Sequence, residues 1–280
     1  MTESENSLSI FGRKVFFIAP NLEFMPETYL QTFLSYGYEC YAVRADASFS
    51  LPQKIKAIIS LFPGSLFIFD TTSSVAGIQW ESYIQALQQT HGDKAIISVV
   101  YSKKWSLAEK TRFKSFYANT AKIKGGYIGL EPGAPKNFER LNRILIKNNA
   151  GGRRKTVRVN CDDRSTLTFA YKGQNLTGKL VDISITHFSC DIDSIGKTIP
   201  VYEKIRDMTI TVNGMQFVSD AAIILRRSDS ESARYIFMFI QGEAGVPGLK
   251  DGLLEKLAPQ IYAMVSASCA AVLKKAYSAQ

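Results

Sequence analysis

The sequence predicts two domains of different fold class that meet near residue 150. Before that point, short apolar runs alternate with stretches whose apolar residues recur at helical spacing, which is typical of a parallel sheet covered by helices. After Gly151-Gly152 the apolar period changes to two, and Lys172-Gly173 and Asn213-Gly214 supply hairpin turns. A chain of 280 residues is long enough for each domain to bury its own core.

The N-terminal domain is predicted to be a doubly wound α/β sheet over residues 14–147. Its five apolar runs lie at 14–20, 39–43, 65–70, 95–101 and 126–130, and amphipathic helices are predicted at 26–36, 52–62, 78–89, 107–117 and 138–146. The third run, Ser65–Asp70, is nearly all apolar, as expected of a strand that is covered on both faces. Residues 1–13 are expected to be a disordered N-terminus.

The C-terminal domain is predicted to be a small antiparallel β-barrel over residues 159–245, after a linker at 148–158. About six short strands have alternating apolar residues, among them the runs at 156–161, 167–171, 208–212 and 235–239. Residues 246–280 are expected to be helical. Since Pro259 falls inside that stretch, we expect a kink or two separate segments.

Composition indicates a soluble globular protein, with 46% hydrophobic and 21% charged residues. No run of eighteen apolar residues is present, so no transmembrane helix is expected, and the polar N-terminus does not resemble a secretory signal. The four cysteines form no CxxC pair and no cluster with histidine, which predicts buried free thiols in a reducing compartment. A cytoplasmic location is therefore expected, without membrane insertion and without a metal or other cofactor.

Positive charge is concentrated between Lys103 and Arg158. That stretch holds fifteen Lys and Arg against three Glu, an excess of twelve, whereas the whole chain has a net charge of +9. Such a concentration favours a phosphate-bearing partner. Solvated helix faces account for much of this excess of positive charge. The stretch Arg153–Arg158, RRKTVR, is the part that indicates a specific site.

The N-terminal domain resembles the receiver domains of response regulators. Its alternation of five strands and five helices matches theirs, and Asp70 ends the third strand, where receivers carry their phosphate acceptor. Receivers hold Mg²⁺ with an acidic pair after the first strand and carry a lysine after the fifth, but this chain has Ala19-Pro20-Asn21 and Glu131-Pro132-Gly133 there. The resemblance therefore implies a pseudo-receiver in which Asp70 is a helix cap or a switch-point residue. A phosphate-accepting receiver remains the alternative.

The barrel and its preceding arm resemble the PilZ domain, a receptor for cyclic di-GMP. The resemblance rests on the R-x-x-x-R spacing of Arg154 and Arg158, with Arg153 in addition, and on Asp182-Ile183-Ser184, which opens a D/N-x-S-x-x-G pattern about two dozen residues later. It spans about residues 151–245. His187 stands where that pattern has glycine.

The resemblance implies a ligand site made by Arg153, Arg154, Arg158, Asp182, Ser184 and His187. An arginine fork matches the O6 and N7 acceptors of guanine or a phosphate, and a carboxylate accepts from guanine N–H groups. If the motif requires positive φ at its glycine, His187 would be strained there by about 1–2 kcal/mol. A partly exposed strand residue without a role is the other reading of His187.

The function expected from these patterns is that of a cyclic di-GMP effector that couples ligand binding at the linker and barrel to interdomain rearrangement and partner signalling. An enzyme is not expected, because neither a G-x-S-x-G motif nor a Walker loop nor a dinucleotide fingerprint is present. A protein partner is expected and nucleic acid is not. The alternative is a degenerate PilZ-like adaptor that binds a protein or nucleic acid and no nucleotide.

Overall fold

The computed structural model describes residues 12–19, 23–46, 48–192, 198–228, 233–250 and 252–278. The chain divides into two compact units, the first formed by Met1–Lys155 with Ser268–Gln280 and the second by Thr156–Ala267. Most of the N-terminus that was expected to be disordered lies outside the described residues. Arg13 is described: its backbone N–H donates to the Ala150 carbonyl at 3.0 Å, and its guanidinium donates to the Gly64 carbonyl at 2.7 Å.

In the described residues between 12 and 155, five strands alternate with five α-helices, as the sequence predicts. The strands are β1 Val15–Ile18, β2 Cys40–Val43, β3 Ser65–Asp70, β4 Ala95–Ser102 and β5 Gly126–Leu130, and the helices are α1 Glu27–Ser35, α2 Leu51–Leu61, α3 Trp80–His91, α4 Leu107–Ser115 and α5 Lys136–Lys147. A capping box between Ser106 and Glu109 starts α4. A π-helical turn, Phe116–Thr120, follows α4 and was not predicted.

All five strands of the first unit are parallel, in the order β2-β1-β3-β4-β5. Every residue of β1 and of β3 is buried, because helices cover both faces of the sheet. The predicted receiver-like α/β domain is thus confirmed. In this order the chain reverses direction across the sheet between β1 and β3, so the switch point lies at their carboxyl ends.

The second unit is an antiparallel barrel. Its strands are β6 Val159–Asn160, β7 Thr166–Tyr171, β8 Gln174–Ile183, β9 His187–Ile192, β10 Lys204–Val212, β11 Met215–Ser228, β12 Ala233–Gln241 and β13 Val246–Pro247. Six of them pair in the order β11-β10-β7-β8-β9-β12, and β12 pairs with β11, which closes the barrel. The predicted barrel is confirmed.

Two predicted hairpin turns have the backbone that their sequences favour. Lys172-Gly173 joins β7 to β8 with φ of 48° and 75°, and Asn213-Gly214 joins β10 to β11 with φ of 47° and 78°. Two successive residues with positive φ make the turn that matches the twist of paired strands, and glycine reaches that conformation without steric cost. The local sequence therefore sets both hairpins.

The predicted strand at 156–161 is wrong in length, because only Val159–Asn160 pair, with the end of β8. Residues 153–158, called the arm, form neither a helix nor a strand. The periodic pattern also identified neither β8 nor β9. The register of β8 against β9 shifts between Leu180 and Asp182, and such a bulge disrupts the alternation of inward and outward residues.

The last helix, α6, runs from Leu253 to Ser278 and is continuous through Pro259, so the expectation of two separate segments is wrong. The boundary between the two units divides it at Ser268. The part of this helix that belongs to the second unit has three buried apolar side chains at helical spacing, those of Leu257, Ile261 and Val265. Among the described helices, α6 is long and apolar enough to cross a membrane, with a mean hydropathy of 1.2 over its best window, of which 28% is buried. Core helices of soluble proteins meet the same criterion, so this evidence for a membrane span is weak.

The four cysteines are free thiols, as predicted. Cys40, Cys190 and Cys269 are buried, whereas Cys161 is half-buried. Burial raises the pKa of Cys161 to about 12, and the negative charges of Asp182 and Asp162 add to that shift. Cys161 therefore stays a neutral thiol at pH 7, although it lies beside the candidate site.

Candidate ligand site on the barrel

A tight turn organised by Ser184 connects β8 to β9. The Ser184 backbone N–H donates to the His187 carbonyl at 2.7 Å, and its hydroxyl donates to the same oxygen at 3.0 Å. That hydroxyl also accepts from the backbone N–H groups of His187 at 3.0 Å and Thr186 at 3.3 Å. Ser184 is completely buried. Its side chain is thus engaged within the turn that it closes.

Asp182 lies two residues before Ser184 and pairs in register with Ser189 on β9. The Ser189 hydroxyl donates to Oδ2 of Asp182 at 2.7 Å, which fixes the orientation of the carboxylate. The other oxygen, Oδ1, is buried and has no hydrogen-bond partner among the described residues. A buried acceptor without a donor costs about 1–3 kcal/mol, which a ligand N–H group would recover.

Arg158 brings a positive charge to this carboxylate. It directly precedes β6, whose residues Val159 and Asn160 pair with Ile183 and Asp182 of β8. Val159 is buried, which anchors the end of the arm to the barrel. Nη1 of Arg158 lies 3.5 Å from Oδ1 of Asp182. That separation permits ionic attraction but is longer than a normal hydrogen bond, so the guanidinium keeps donors for a ligand.

His187 begins β9 and pairs with Met238 of β12. It is not among the residues with positive φ, so the predicted left-handed strain does not arise there. Its Nδ1 lies 2.7 Å from the Thr186 hydroxyl. Burial, and then the positive charge of Arg158, lower the pKa of His187. The imidazole is therefore neutral at pH 7, half-buried, and close enough to Arg158 to feel its charge.

The arm and the β8–β9 turn are linked by a pair of hydroxyls. The Thr156 side chain lies 3.1 Å from that of Thr186, and Thr186 in turn lies 3.4 Å from the Ser184 hydroxyl. This contact holds the arm, two residues before Arg158, against the turn that follows Asp182. It restricts the directions from which Arg158 can approach the carboxylate.

The structure thus gathers four of the six predicted site residues in the second unit: Arg158, Asp182, Ser184 and His187. Arg153 and Arg154 are exposed and belong to the first unit, which ends at Lys155. Sequence patterns missed Thr156, Thr186 and Ser189. Ser189 could have been found from the turn alone, because a hairpin closed between Ser184 and His187 places Asp182 opposite Ser189.

Asp70 occupies a different environment in the first unit. It ends β3 at the switch point, which confirms that interpretation, whereas the helix-cap interpretation is wrong because α3 begins ten residues later, at Trp80. Oδ1 accepts from the backbone N–H and the hydroxyl of Thr72 at 3.0 and 2.6 Å. The residue is 4% exposed and faces a small pocket whose other lining residues are apolar. Burial raises its pKa; the bonds from Thr72 oppose that shift and the charge of Glu23 adds to it.

Neither family models nor curated proteins match the chain. Solved structures do match it. One is the PilZ domain with c-di-GMP of YcgR from Escherichia coli, with 14% identity and a TM-score of 0.33, covering 41% of this chain and 94% of that one.

Two further solved structures match part of the chain. The inhibitor of motility MotI/DgrA of Bacillus subtilis has 16% identity and a TM-score of 0.31, and the match covers 39% of this chain and 49% of that one. A putative pilus assembly-related protein from Burkholderia pseudomallei has 11% identity and a TM-score of 0.33, with coverage of 51% of this chain and 93% of that one. Several of the matched chains, such as the YcgR complex with c-di-GMP, are covered over only about half their length, 52% in that case.

Proposed function

We propose that this chain is a non-enzymatic cyclic di-GMP effector that binds the dinucleotide at the arm and the β8–β9 turn. The observation that carries the proposal is the pair formed by Arg158 and Asp182. A half-buried guanidinium stands 3.5 Å from a carboxylate oxygen that is buried and accepts no hydrogen bond from any residue that the structure describes. Each group retains hydrogen-bonding capacity of a kind that guanine complements.

Guanine fits these groups through two of its edges. Its O6 and N7 atoms accept two parallel hydrogen bonds from an arginine fork, which fits Arg158. Its N–H donors fit the free Oδ1 of Asp182, whose carboxylate Ser189 already holds in place. The neutral His187 imidazole offers a flat surface for the base next to the arginine. The proposed roles are thus guanine contacts for Arg158, Asp182 and His187.

Ser184 has a different proposed role. Its hydroxyl is used by His187 and Thr186 within the turn, so we assign it to positioning Asp182 rather than to direct contact with the ligand. Arg153 and Arg154 are exposed and lie within five residues of Arg158. Since an extended chain spans at most about 3.6 Å per residue, they remain within roughly 18 Å of it and can clamp the ligand phosphates.

The proposed signal is an ordering of the arm. The arm is one of the two places where the chain passes between the units, at Lys155 and Thr156; the other lies within α6. A dinucleotide held at the arm and the β8–β9 turn would restrain this connection, and ordering of a segment by a ligand is an established way to switch a protein between states. A cytoplasmic protein partner is proposed to read that change.

Calorimetric titration of cyclic di-GMP tests the function. Wild-type protein should bind saturably, and Arg154→Ala should bind about tenfold or more weakly, because a charge-assisted hydrogen bond contributes about 1.5–3 kcal/mol. Arg227→Ala is the matched control, since Arg227 is an exposed arginine of the barrel at the end of β11. Equal affinities of the wild type and Arg154→Ala would contradict the proposed role of the arm.

The occupied hydroxyl of Ser184 and the imidazole at position 187 favour one second candidate. Both leave less room and fewer free donors at the turn, as in an adaptor that has lost nucleotide binding and retains a protein partner. Absence of heat from wild-type protein would support that adaptor and contradict the effector.

A further inference from the structure

The exposed edge of the sheet in the first unit is lined by basic side chains. β5 is an edge strand, and the π-helical turn and α5 pack against it. Lys103 lies beside Gly129, Arg140 donates to the Gly129 carbonyl at 3.4 Å, and Nζ of Lys147 lies next to Gly126. Together with Lys114, Lys122, Lys124 and Tyr127, these residues are called the β5 face.

The positive charge of this region is largely uncompensated. Residues 103–147 contain eleven Lys and Arg against three Glu. Glu131 pairs with Lys103 at 3.1 Å and with Arg140 at 3.9 Å, while the carboxylate of Glu109 is used in the capping box of α4. In the part of the chain that the structure describes, no ion pair is found for Lys114, Lys122, Lys124 or Lys147.

The loop before β5 holds two of these lysines in a fixed conformation. Lys122 has a φ of 53°, a region that lysine rarely adopts. Gly125 packs so closely on β4 that a Cβ atom would lie 2.3 Å from the Ser98 hydroxyl, and Gly126 has a φ of 95°. Lys122 and Lys124 of this loop are exposed, and the Lys124 ammonium donates to the Gly92 carbonyl at 3.2 Å, which holds it at the surface.

Aromatic side chains lie among the lysines. The Lys114 ammonium is 5.4 Å from the centre of the Tyr101 ring and 5.7 Å from that of Tyr127. Tyr127 is 41% exposed, and Trp105 is half-exposed with its ring 6.3 Å from Tyr101. Lysines alone would serve to protect an edge strand from pairing with another chain. Exposed rings among them are not needed for that purpose.

We propose that the β5 face binds single-stranded nucleic acid. Such ligands need a positively charged surface that follows the phosphate backbone and aromatic rings on which unpaired bases stack. The five residues of β5 span about 16 Å, which accommodates a few nucleotides of an extended strand. Lys114, Lys124 and Lys147 contact phosphates, and Tyr127 stacks on a base. This binding is independent of the dinucleotide site and departs from the expectation that nucleic acid is not a partner.

Fluorescence anisotropy with labelled oligo(dT) of twenty nucleotides tests this assignment on the full chain. The variant Lys114→Gln/Lys124→Gln/Lys147→Gln should lose about tenfold or more in affinity. The slope of its log K against log salt concentration should be shallower than that of the wild type by about two, or about 0.7 for each lost phosphate contact. The control Lys56→Gln/Lys256→Gln/Lys275→Gln removes the same charge from exposed positions elsewhere and should bind like wild type.

Further measurements distinguish nucleic acid from other polyanions as the ligand. Tyr127→Leu should weaken oligo(dT) binding about fivefold or more, while Tyr127→Phe should keep the wild-type affinity, because stacking needs a ring and not a hydroxyl. Duplex DNA of equal length should bind more weakly. Equal losses in the two triple variants, equal competition by polyglutamate, or absence of binding by wild type would overturn the proposal.

Discussion

Oδ1 of Asp182 lies 3.5 Å from Nη1 of Arg158, yet it is buried and accepts no hydrogen bond within the described part of the chain. The other oxygen of the same carboxylate is held by Ser189 at 2.7 Å. One carboxylate thus has a fixed orientation and an unused acceptor, and a guanidinium stands beside it with unused donors. This asymmetry is the physical reason for assigning the ligand site to this place, since a fully satisfied pair would have nothing to offer a base.

Ser189→Ala should weaken cyclic di-GMP binding although the residue contacts no ligand in the proposed arrangement. Loss of its hydroxyl frees the Asp182 carboxylate to rotate and leaves Oδ2 without a donor, at a cost of about 1–3 kcal/mol in the free energy of unfolding of the barrel. Titration and hydrogen exchange in peptides from β8 and β9 measure the two effects. Ser189→Thr retains a hydroxyl and should recover part of the affinity; an Ala variant with wild-type affinity would remove Ser189 from the site.

Stability of the β8–β9 hairpin should depend on pH through His187. The pKa of His187 is lowered from its ordinary value of 6.5, first by burial and then by Arg158. The unfolded chain binds this proton near pH 6.5 and the folded chain only at lower pH. The contribution to stability is therefore complete above pH 6.5 and is lost as the pH falls through the folded pKa.

Hydrogen exchange of the hairpin at several pH values checks this dependence. His187→Gln should remove it, and Arg158→Gln should reduce it without abolishing it, because burial is the larger cause. A His187→Gln variant whose stability falls with pH as steeply as that of the wild type would show that another group is responsible.

Asp70 should affect stability with the opposite sign. Its pKa is raised by burial, so the folded chain retains a proton that the unfolded chain has already lost. The contribution is complete below the ordinary pKa of 3.8 and is lost as the pH rises through the folded pKa. The unfolding free energy of the wild type minus that of Asp70→Asn should therefore fall as the pH rises. Tryptophan fluorescence reports on this unit, since Trp80 and Trp105 both lie in it; a constant difference would contradict the assignment.

The sequence predicted the strands of the first unit well, because each is a short buried run bounded by turn residues. Lys172-Gly173 and Asn213-Gly214 likewise specified their hairpins locally. Strand β8 was not identified because the bulge between Leu180 and Asp182 interrupts its alternation. Strand β9 was not identified because three successive residues, Phe188, Ser189 and Cys190, are all buried. The helical pattern predicted at 107–117 also ran into the π-helical turn, because Phe113 of α4 and Tyr117 of the turn are four residues apart and both buried.

Prediction of the candidate site had a similar limit. Two short motifs named Arg158, Asp182, Ser184 and His187, which the structure brings together. The hydroxyls of Thr156, Thr186 and Ser189 follow from strand register and from the path of the arm, and neither is encoded in spacing along the chain. The strain expected at His187 did not arise, because the turn closes without a positive φ at that residue.

The proposed guanine contact of Arg158 is tested by calorimetric titration of cyclic di-GMP into Arg158→Ala, Arg227→Ala and the wild-type protein. Both variants lose one arginine of the barrel unit, and only Arg158 stands beside the free oxygen of Asp182. We expect Arg227→Ala to bind like wild type and Arg158→Ala to lose about tenfold or more in affinity. Binding of equal strength by the two variants would contradict it.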